Sequence, residues 1–146
     1  MNAKEYLSQS LWLDQRVNTK LEQLQILRDL SMRVSANLTV EKVAGGNNKK
    51  GHMENTVVRI VDLEKEIRKE LERSIAIKAE IMNTISQVDD PIGQIILEMR
   101  YINGKGWDEI ARDIKFDIRT AFRIHGKALK QIEEIRKVSV NVSVCQ

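Results

Sequence analysis

Apolar residues recur at every seventh position along the middle of the chain. The series runs through Met53, Ile60, Ile67, Ile81 and Val88, with the polar Ser74 at one position of the repeat and further apolar residues at Val57, Leu63, Leu71, Ile77 and Ile85. Such a repeat, with charged residues at the remaining positions, predicts one long amphipathic helix, because residues at this spacing share one stripe of the surface. About 35 residues at 1.5 Å per residue would form a rod of about 50 Å.

A second amphipathic pattern lies closer to the N-terminus. Asn2 and Glu5 have the spacing of a capping box, which predicts that a helix begins there. The apolar residues that follow in steps of three and four are Leu13, Val17, Leu21, Leu24, Leu27, Leu30 and Val34. Glycine, asparagine and lysine then interrupt the pattern, so we expect a flexible loop over about residues 36–52. Neither helix can bury its stripe alone, and the two are predicted to form an antiparallel hairpin or to serve a homodimer.

The only proline in the chain, Pro91, marks a change of organisation. Proline disfavours helix in the residue before it and suits the first turn of a new helix, for which Asp90 is a good N-cap. The predicted fold is therefore all-α: a long, coiled-coil-like N-terminal helical hairpin over 1–89, then a small helix-turn-helix domain over 90–137. Residues 138–146 form a tail, whose VSVNVSV alternation is typical of a strand but which we expect to be a disordered end.

The segment after Pro91 has the layout of a helix-turn-helix. A helix ending near Ile102 is followed by the turn NGKG, the short helical pattern WDEIARDI and the turn IKF. Asp117 then caps a helix that we expect to reach about residue 136. Its core-facing residues, at steps of three and four, are Ala121, Ile124, Ala128, Ile132 and Ile135.

The opposite face of this last helix is basic. Residues 115–132 contain Lys115, Arg119, Arg123, Lys127 and Lys130 and the single acid Asp117. A guanidinium group can meet guanine O6 and N7 together, and a solvent-facing Phe122, which has little structural use there, can contact a thymine methyl. The second helix of a helix-turn-helix enters the DNA major groove, so we expect this face to bind duplex DNA. The candidate DNA-binding residues are Ile118, Arg119, Thr120, Phe122, Arg123, Lys127 and Lys130.

The stretch LEMRYINGKGWDEIARDIKFDIRTAFRIHGKALKQI resembles region 4 of bacterial sigma factors. The likeness lies in a series of features in the same order: an aromatic residue that ends the first helix, then Gly-Lys, a tryptophan and the sequence EIA. The sequence GKAL follows after the recognition positions. With AKEYLSQSLWLDQRVNTKLEQL and ENTVVRIVDLEKEI, the chain is similar to small Gram-positive phage and prophage proteins that carry such a C-terminus, including regulators of late genes and autolysin expression.

This resemblance implies that base-reading positions fall on Ile118, Arg119, Phe122 and Arg123, with Lys127 near the DNA backbone. Ile118 and Phe122 depart from the polar residues of the sigma pattern. Nothing in this sequence resembles sigma region 2, so we do not expect a complete sigma factor.

Other classes of protein are disfavoured by the sequence. No run approaches the roughly 18 apolar residues that span a bilayer, and the first residues lack the basic flank of a secretory signal, so we expect a cytoplasmic protein without membrane contact. Cys145 is the only cysteine, and with His52 and His125 far apart the chain offers no zinc ligand set. We expect no metal and no cofactor.

Catalytic motifs are also missing from the sequence. It has no glycine-rich phosphate loop after a strand, no HExxH pair and no serine or cysteine with a placed histidine, so we expect no enzyme. We interpret Asp108, Glu109 and Asp113 as acids that stabilise a helix end. We interpret His125 as a packed histidine and Trp107 as a core residue.

The favoured hypothesis is therefore a phage-type transcriptional regulator that binds duplex DNA through residues 91–136. Its helical hairpin would form a homodimer or contact RNA polymerase. A helical adaptor that grips a protein such as RNA polymerase, and a small DNA-packaging subunit of the terminase type, are the alternatives.

Overall fold

Helices account for almost all of the chain in the computed structural model, which describes residues 1–40 and 47–144. In chain order these are α1 (Ala3–Val40), α2 (Asn47–Ile85), α3 (Pro91–Leu97), a π-helical turn (Glu98–Ile102), α4 (Trp107–Ile114) and α5 (Ile118–Val144). The predicted all-α class, with a long N-terminal helix pair, is confirmed for the described residues.

Local signals in the sequence set two helix beginnings. At the start of α1, the Glu5 amide donates to Asn2 Oδ1 at 2.8 Å and the Asn2 amide donates to Glu5 Oε2 at 2.9 Å. This reciprocal pair is the predicted capping box. At the start of α3, Asp90 is the N-cap, and its Oδ1 accepts from the Ile92 amide at 3.1 Å. The helix boundary predicted at Asp90 and Pro91 is confirmed.

Two helices run further than the sequence suggests. α1 continues to Val40 and α2 begins at Asn47, so both enter the predicted loop of residues 36–52. The centre of that loop, residues 41–46, lies outside the described residues. Once a helix is nucleated, each added residue gains a hydrogen bond, so a long helix can extend into sequence with weak helix propensity.

The prediction of a disordered end or a strand is wrong for residues 138–144, which continue α5. The Ser139 hydroxyl donates to the Ile135 carbonyl and the Ser143 hydroxyl to the Ser139 carbonyl, both at 3.1 Å. A period of two favours a strand only where another strand is available for pairing, and the described chain contains none. Residues 145 and 146 of the predicted tail lie outside the described residues.

Contacts divide the chain into two compact units, and the division differs from the predicted boundary at residue 90. The terminal unit consists of Met1–Leu13 and Ser74–Gln146, and the hairpin unit of Asp14–Arg73. The first turns of α1 and the last turns of α2 therefore belong with the C-terminal helices. The spacing of apolar residues gave no sign of this, because it indicates which face of a helix is buried and not against which helix.

The core of the terminal unit combines residues from both ends of the chain. Its buried members are Ala3, Tyr6, Leu7, Ile81, Ile85, Val88, Leu97, Tyr101, Ala128 and Ile132. The Tyr6 hydroxyl donates to Glu80 Oε1 at 3.1 Å and lies 3.1 Å from the Thr84 hydroxyl. The Arg136 guanidinium lies 4.2 Å from the centre of the Tyr6 ring. Burial and these polar contacts together hold the start of α1 against α2 and α5.

In the hairpin unit, α1 and α2 run antiparallel. Ion pairs join Arg16 to Glu70, Lys20 to Glu66 and Arg28 to Glu64, so later residues of α1 meet earlier residues of α2. Val17, Leu24 and Ile67 are buried between these pairs, as their spacing predicts.

Other members of the predicted apolar stripes lie outside this seam. Leu21, Leu30, Val57 and Leu71 are exposed. In place of Leu71, the seam contains the adjacent Glu70, whose Oε2 is buried with no hydrogen-bond partner in the described part of the chain. The stripe assigned to α2 from its sequence is therefore wider than the seam that the hairpin buries.

Candidate nucleic-acid interface

The pair α4 and α5 forms the predicted short-turn helix pair. α4 starts after Gly106, buries Ile110 and Ala111, and ends at Lys115, which adopts the left-handed conformation with φ of 60°. The Lys115 amide donates to the Ala111 carbonyl, and the Phe116 amide donates to the same oxygen at 3.2 Å. A left-handed residue at this position ends α4 in a tight turn, and α5 begins only three residues after Lys115.

Small residues let α5 pack closely on α3. Ala121, Ala128 and Ile132 are the buried residues of α5. A Cβ atom on Gly93 of α3 would lie 3.3 Å from the Ala128 Cβ, so the two backbones approach as near as a glycine and an alanine allow. The predicted core face is confirmed at these three positions, while Ile124 and Ile135 are half-buried.

The opposite side of α5 is accessible to solvent along its first three turns. We call this surface the basic face, and it consists of the exposed residues Ile118, Arg119, Phe122, Arg123, Lys127 and Lys130. The remaining candidate, Thr120, is half-buried. The structure thus brings six of the seven predicted residues together on one surface, and their side chains are available for contact with a ligand.

Phe122 differs from its prediction, because it has a structural partner. Its ring meets the Trp107 ring edge-on with 4.7 Å between the centroids, and 47% of Phe122 stays exposed. Trp107 itself is half-buried and also meets the His125 ring at 4.7 Å. Aromatic pairs of this geometry stabilise a fold beyond the area they bury. Phe122 therefore fixes α5 to the start of α4 while still presenting one edge to solvent.

His125 is packed, as predicted, and its partner is Tyr101. The two rings stack with centroids 5.8 Å apart, and the Tyr101 hydroxyl lies 2.9 Å from His125 Nε2, within hydrogen-bond distance. Burial, with the charges of Lys4 and Arg100 nearby, lowers the pKa of His125 to about 4. The imidazole is consequently neutral near pH 7 and adds no charge to the surface.

This lowered pKa predicts a stability that depends on pH. Between pH 6.5 and about 4, the unfolded chain binds a proton at His125 that the folded chain does not bind, so the melting temperature should fall as pH falls from about 6.5 towards 5. Replacing His125 with glutamine should flatten this dependence in thermal denaturation followed by circular dichroism. His52→Gln, at the only other histidine, is the matched control. An equal slope in the wild type and in His125→Gln would contradict the assignment.

A cleft of about 200 Å³ opens beside these rings, and no local pattern in the sequence predicts it. Besides Tyr101, Trp107, Phe122 and His125 it is lined by Lys4, Ser8, Leu11 and Arg100. The Arg100 guanidinium lies 5.4 Å from the centre of the Trp107 ring and donates to the Lys105 carbonyl at 3.0 Å. Lys4 is more than a hundred residues from α5 in sequence, so no local spacing could have placed it here.

The described residues offer neither a metal-binding cluster nor a membrane-spanning helix. In residues 1–40 and 47–144, no three histidine, cysteine, aspartate or glutamate side chains come together in a way that could hold a metal ion. No helix in the same ranges has the length and apolar character needed to cross a bilayer.

Comparison with known proteins identifies a family. Residues 29–133 match the family described as a protein of unknown function, DUF1492. No match was found among curated proteins or among solved structures. The matched region includes all of α2, α3 and α4, together with the basic face of α5. Since it covers well over half of the 146 residues, the chain belongs to the DUF1492 family.

Proposed function

We propose that this protein binds duplex DNA through α4 and α5 and regulates transcription, with α5 in the major groove. The observation that carries the proposal is the basic face, an exposed surface with four cations at the start of the second helix of a short-turn pair. Helix-turn-helix proteins read base edges with this part of the second helix.

The spacing of the arginines supports base contact as well as general attraction to phosphate. Arg119 and Arg123 are one turn apart on the same side of α5, so both can reach one groove. Each guanidinium can donate two hydrogen bonds to guanine, while the exposed edge of Phe122 suits a thymine methyl. Lys127 and Lys130 lie further along the helix, where they can contact the phosphate backbone.

The electrostatics of α5 also favour a polyanionic ligand. The positive end of a helix dipole lies at its N-terminus, where acidic side chains are stabilising and basic ones are not. α5 has no acid in its first turn and carries Arg119 there instead. Arg119 gains nothing from the dipole at this position, whereas an anionic ligand would benefit from both the arginine and the helix dipole.

The regulatory role rests on the resemblance of residues 97–132 to sigma factor region 4. Sigma factors act on transcription in the bacterial cytoplasm, and we propose the same setting for this protein. The resemblance of the whole chain supports a phage or prophage origin. RNA polymerase is then the second candidate partner. Ile118 and Phe122 are apolar where sigma factors carry polar residues, so we propose a target sequence different from an ordinary promoter element.

Selection of bound sequences from random duplex DNA by the full chain, at two salt concentrations, tests this proposal. We expect an enriched sequence motif and a logarithm of affinity that falls with the logarithm of salt concentration, with a slope of about −0.9 for each phosphate contacted. An affinity that does not change with salt concentration, or no binding to any duplex, would contradict DNA recognition and would favour the helical adaptor.

A further inference from the structure

A second series of residues lies along the surface of α2, next to the face that forms the hairpin seam. Within the hairpin unit it runs through Val57, Val61, Glu64, Arg68 and Leu71, at steps of four and three. Residues at these steps share one helix face. Val57, Val61 and Leu71 are 51%, 42% and 43% exposed. The series therefore forms a coiled-coil stripe that the hairpin does not cover.

The neighbouring helix α1 extends this apolar surface. Glu64 Oε1 pairs with the Arg28 guanidinium at 2.9 Å, so the face of α1 that carries Arg28 adjoins the stripe. Leu21 and Met32 lie seven residues before and four residues after Arg28, which places them on the same side of α1. Both are exposed, Met32 to 72%. An apolar surface that spans two packed helices is more than the scattered apolar residues expected on any protein.

We infer that this surface binds a second copy of the chain, with the two α2 helices antiparallel about a two-fold axis near Glu66. This register places Val61 opposite Leu71 of the second copy, and Glu64 opposite Arg68 of the second copy. Because the two copies are related by a two-fold axis, each of these contacts occurs twice in the dimer, as in other isologous interfaces. Apolar residues meet apolar residues, and opposite charges meet at the centre.

The charge pattern selects a second copy over an unrelated protein. Arg68 is exposed and takes part in no ion pair among the residues that the structure describes. Glu64 bonds Arg28 through one carboxylate oxygen, and a carboxylate can accept further hydrogen bonds through the other. Each copy thus carries both an acid and a base for the centre of the interface. In the antiparallel register, Glu64 of each copy pairs with Arg68 of the other.

Charge reversal on separate chains tests the register. Arg68→Glu places four acids at the centre of the dimer, and Glu64→Arg places four cations there, so each variant alone should dimerise at least about tenfold more weakly than the wild type. An equimolar mixture of the two should form a heterodimer close to wild-type strength. Within each variant chain the two residues still carry like charges, so recovery in the mixture can come only from contacts between chains.

Sedimentation equilibrium on the full-length chains is the measurement, with circular dichroism to verify folding. The matched control is Lys69→Glu, an equal charge reversal that lies about 100° further round α2 and should leave the dimer unchanged. If a charge variant does not fold, Leu71→Gln tests the same surface and should also weaken the dimer about tenfold. A monomeric wild type, or charge variants that dimerise like the wild type, would overturn the inference. No DNA is present, so this result is independent of the proposed DNA binding.

Discussion

Replacing Leu7 with alanine is expected to lower the free energy of unfolding of the terminal unit by about 2–5 kcal/mol. Leu7 is fully buried in the core that joins the start of α1 to the C-terminal helices. Its truncation removes apolar contacts and leaves a cavity that the rigid helices around it cannot fill. The loss is measurable by chemical denaturation of the full chain, followed by far-ultraviolet circular dichroism.

Trp12→Ala provides the comparison, since it removes a larger side chain from the same helix. Trp12 is 69% exposed, so its loss should change stability by less than about 0.5 kcal/mol. If Leu7→Ala has an equally small effect, the start of α1 is not part of the terminal core, and the division of the chain into its two units would need revision.

The double substitution Arg119→Ala and Arg123→Ala should weaken binding to a selected DNA site roughly 30-fold to 10⁴-fold. This range assumes additivity and about 1–3 kcal/mol for each arginine that contacts a base. Both side chains are exposed, so the folded state should be preserved. Fluorescence anisotropy with the selected duplex and with a scrambled duplex separates a loss of base reading from a general loss of affinity.

Arg59→Ala with Arg73→Ala is the matched control, because it removes the same charge from exposed positions of the hairpin unit. It should leave affinity for the selected site nearly unchanged. Lys130→Ala, in contrast, should weaken both duplexes about equally. Equal losses on both duplexes for the arginine pair would contradict base reading, and no loss on either would contradict the basic face as the DNA-binding surface.

The sequence predicted the helices well, because their signals are local. The sevenfold series located α2, and Asp90 with Pro91 located the start of α3. Val57 and Leu71 could not be assigned correctly, since an apolar side chain has the same spacing whether it packs in a hairpin or lies on an open face. Residues 138–144 had the strand period and became helical because they continue a helix already fixed by Ile132.

The candidate site was predictable in part for the same reason. The helical period alone was enough to predict that Arg119, Arg123 and Lys127 lie on one surface. The contact of Phe122 with Trp107 depends on how the turn orients α4 relative to α5, and the helical period contains no information about that orientation. Lys4 reaches the cleft only because distant parts of the chain fold together.

The position of Tyr6 and Leu7 in the terminal core has a consequence for biosynthesis. These residues are synthesised about 125 residues before Ile132, which is one of their core partners. At the usual speed of translation, the nascent chain carries them uncovered for on the order of ten seconds. The apolar start of α1 thus waits for its C-terminal partners before it is fully buried, and during that interval it is a natural target for a chaperone.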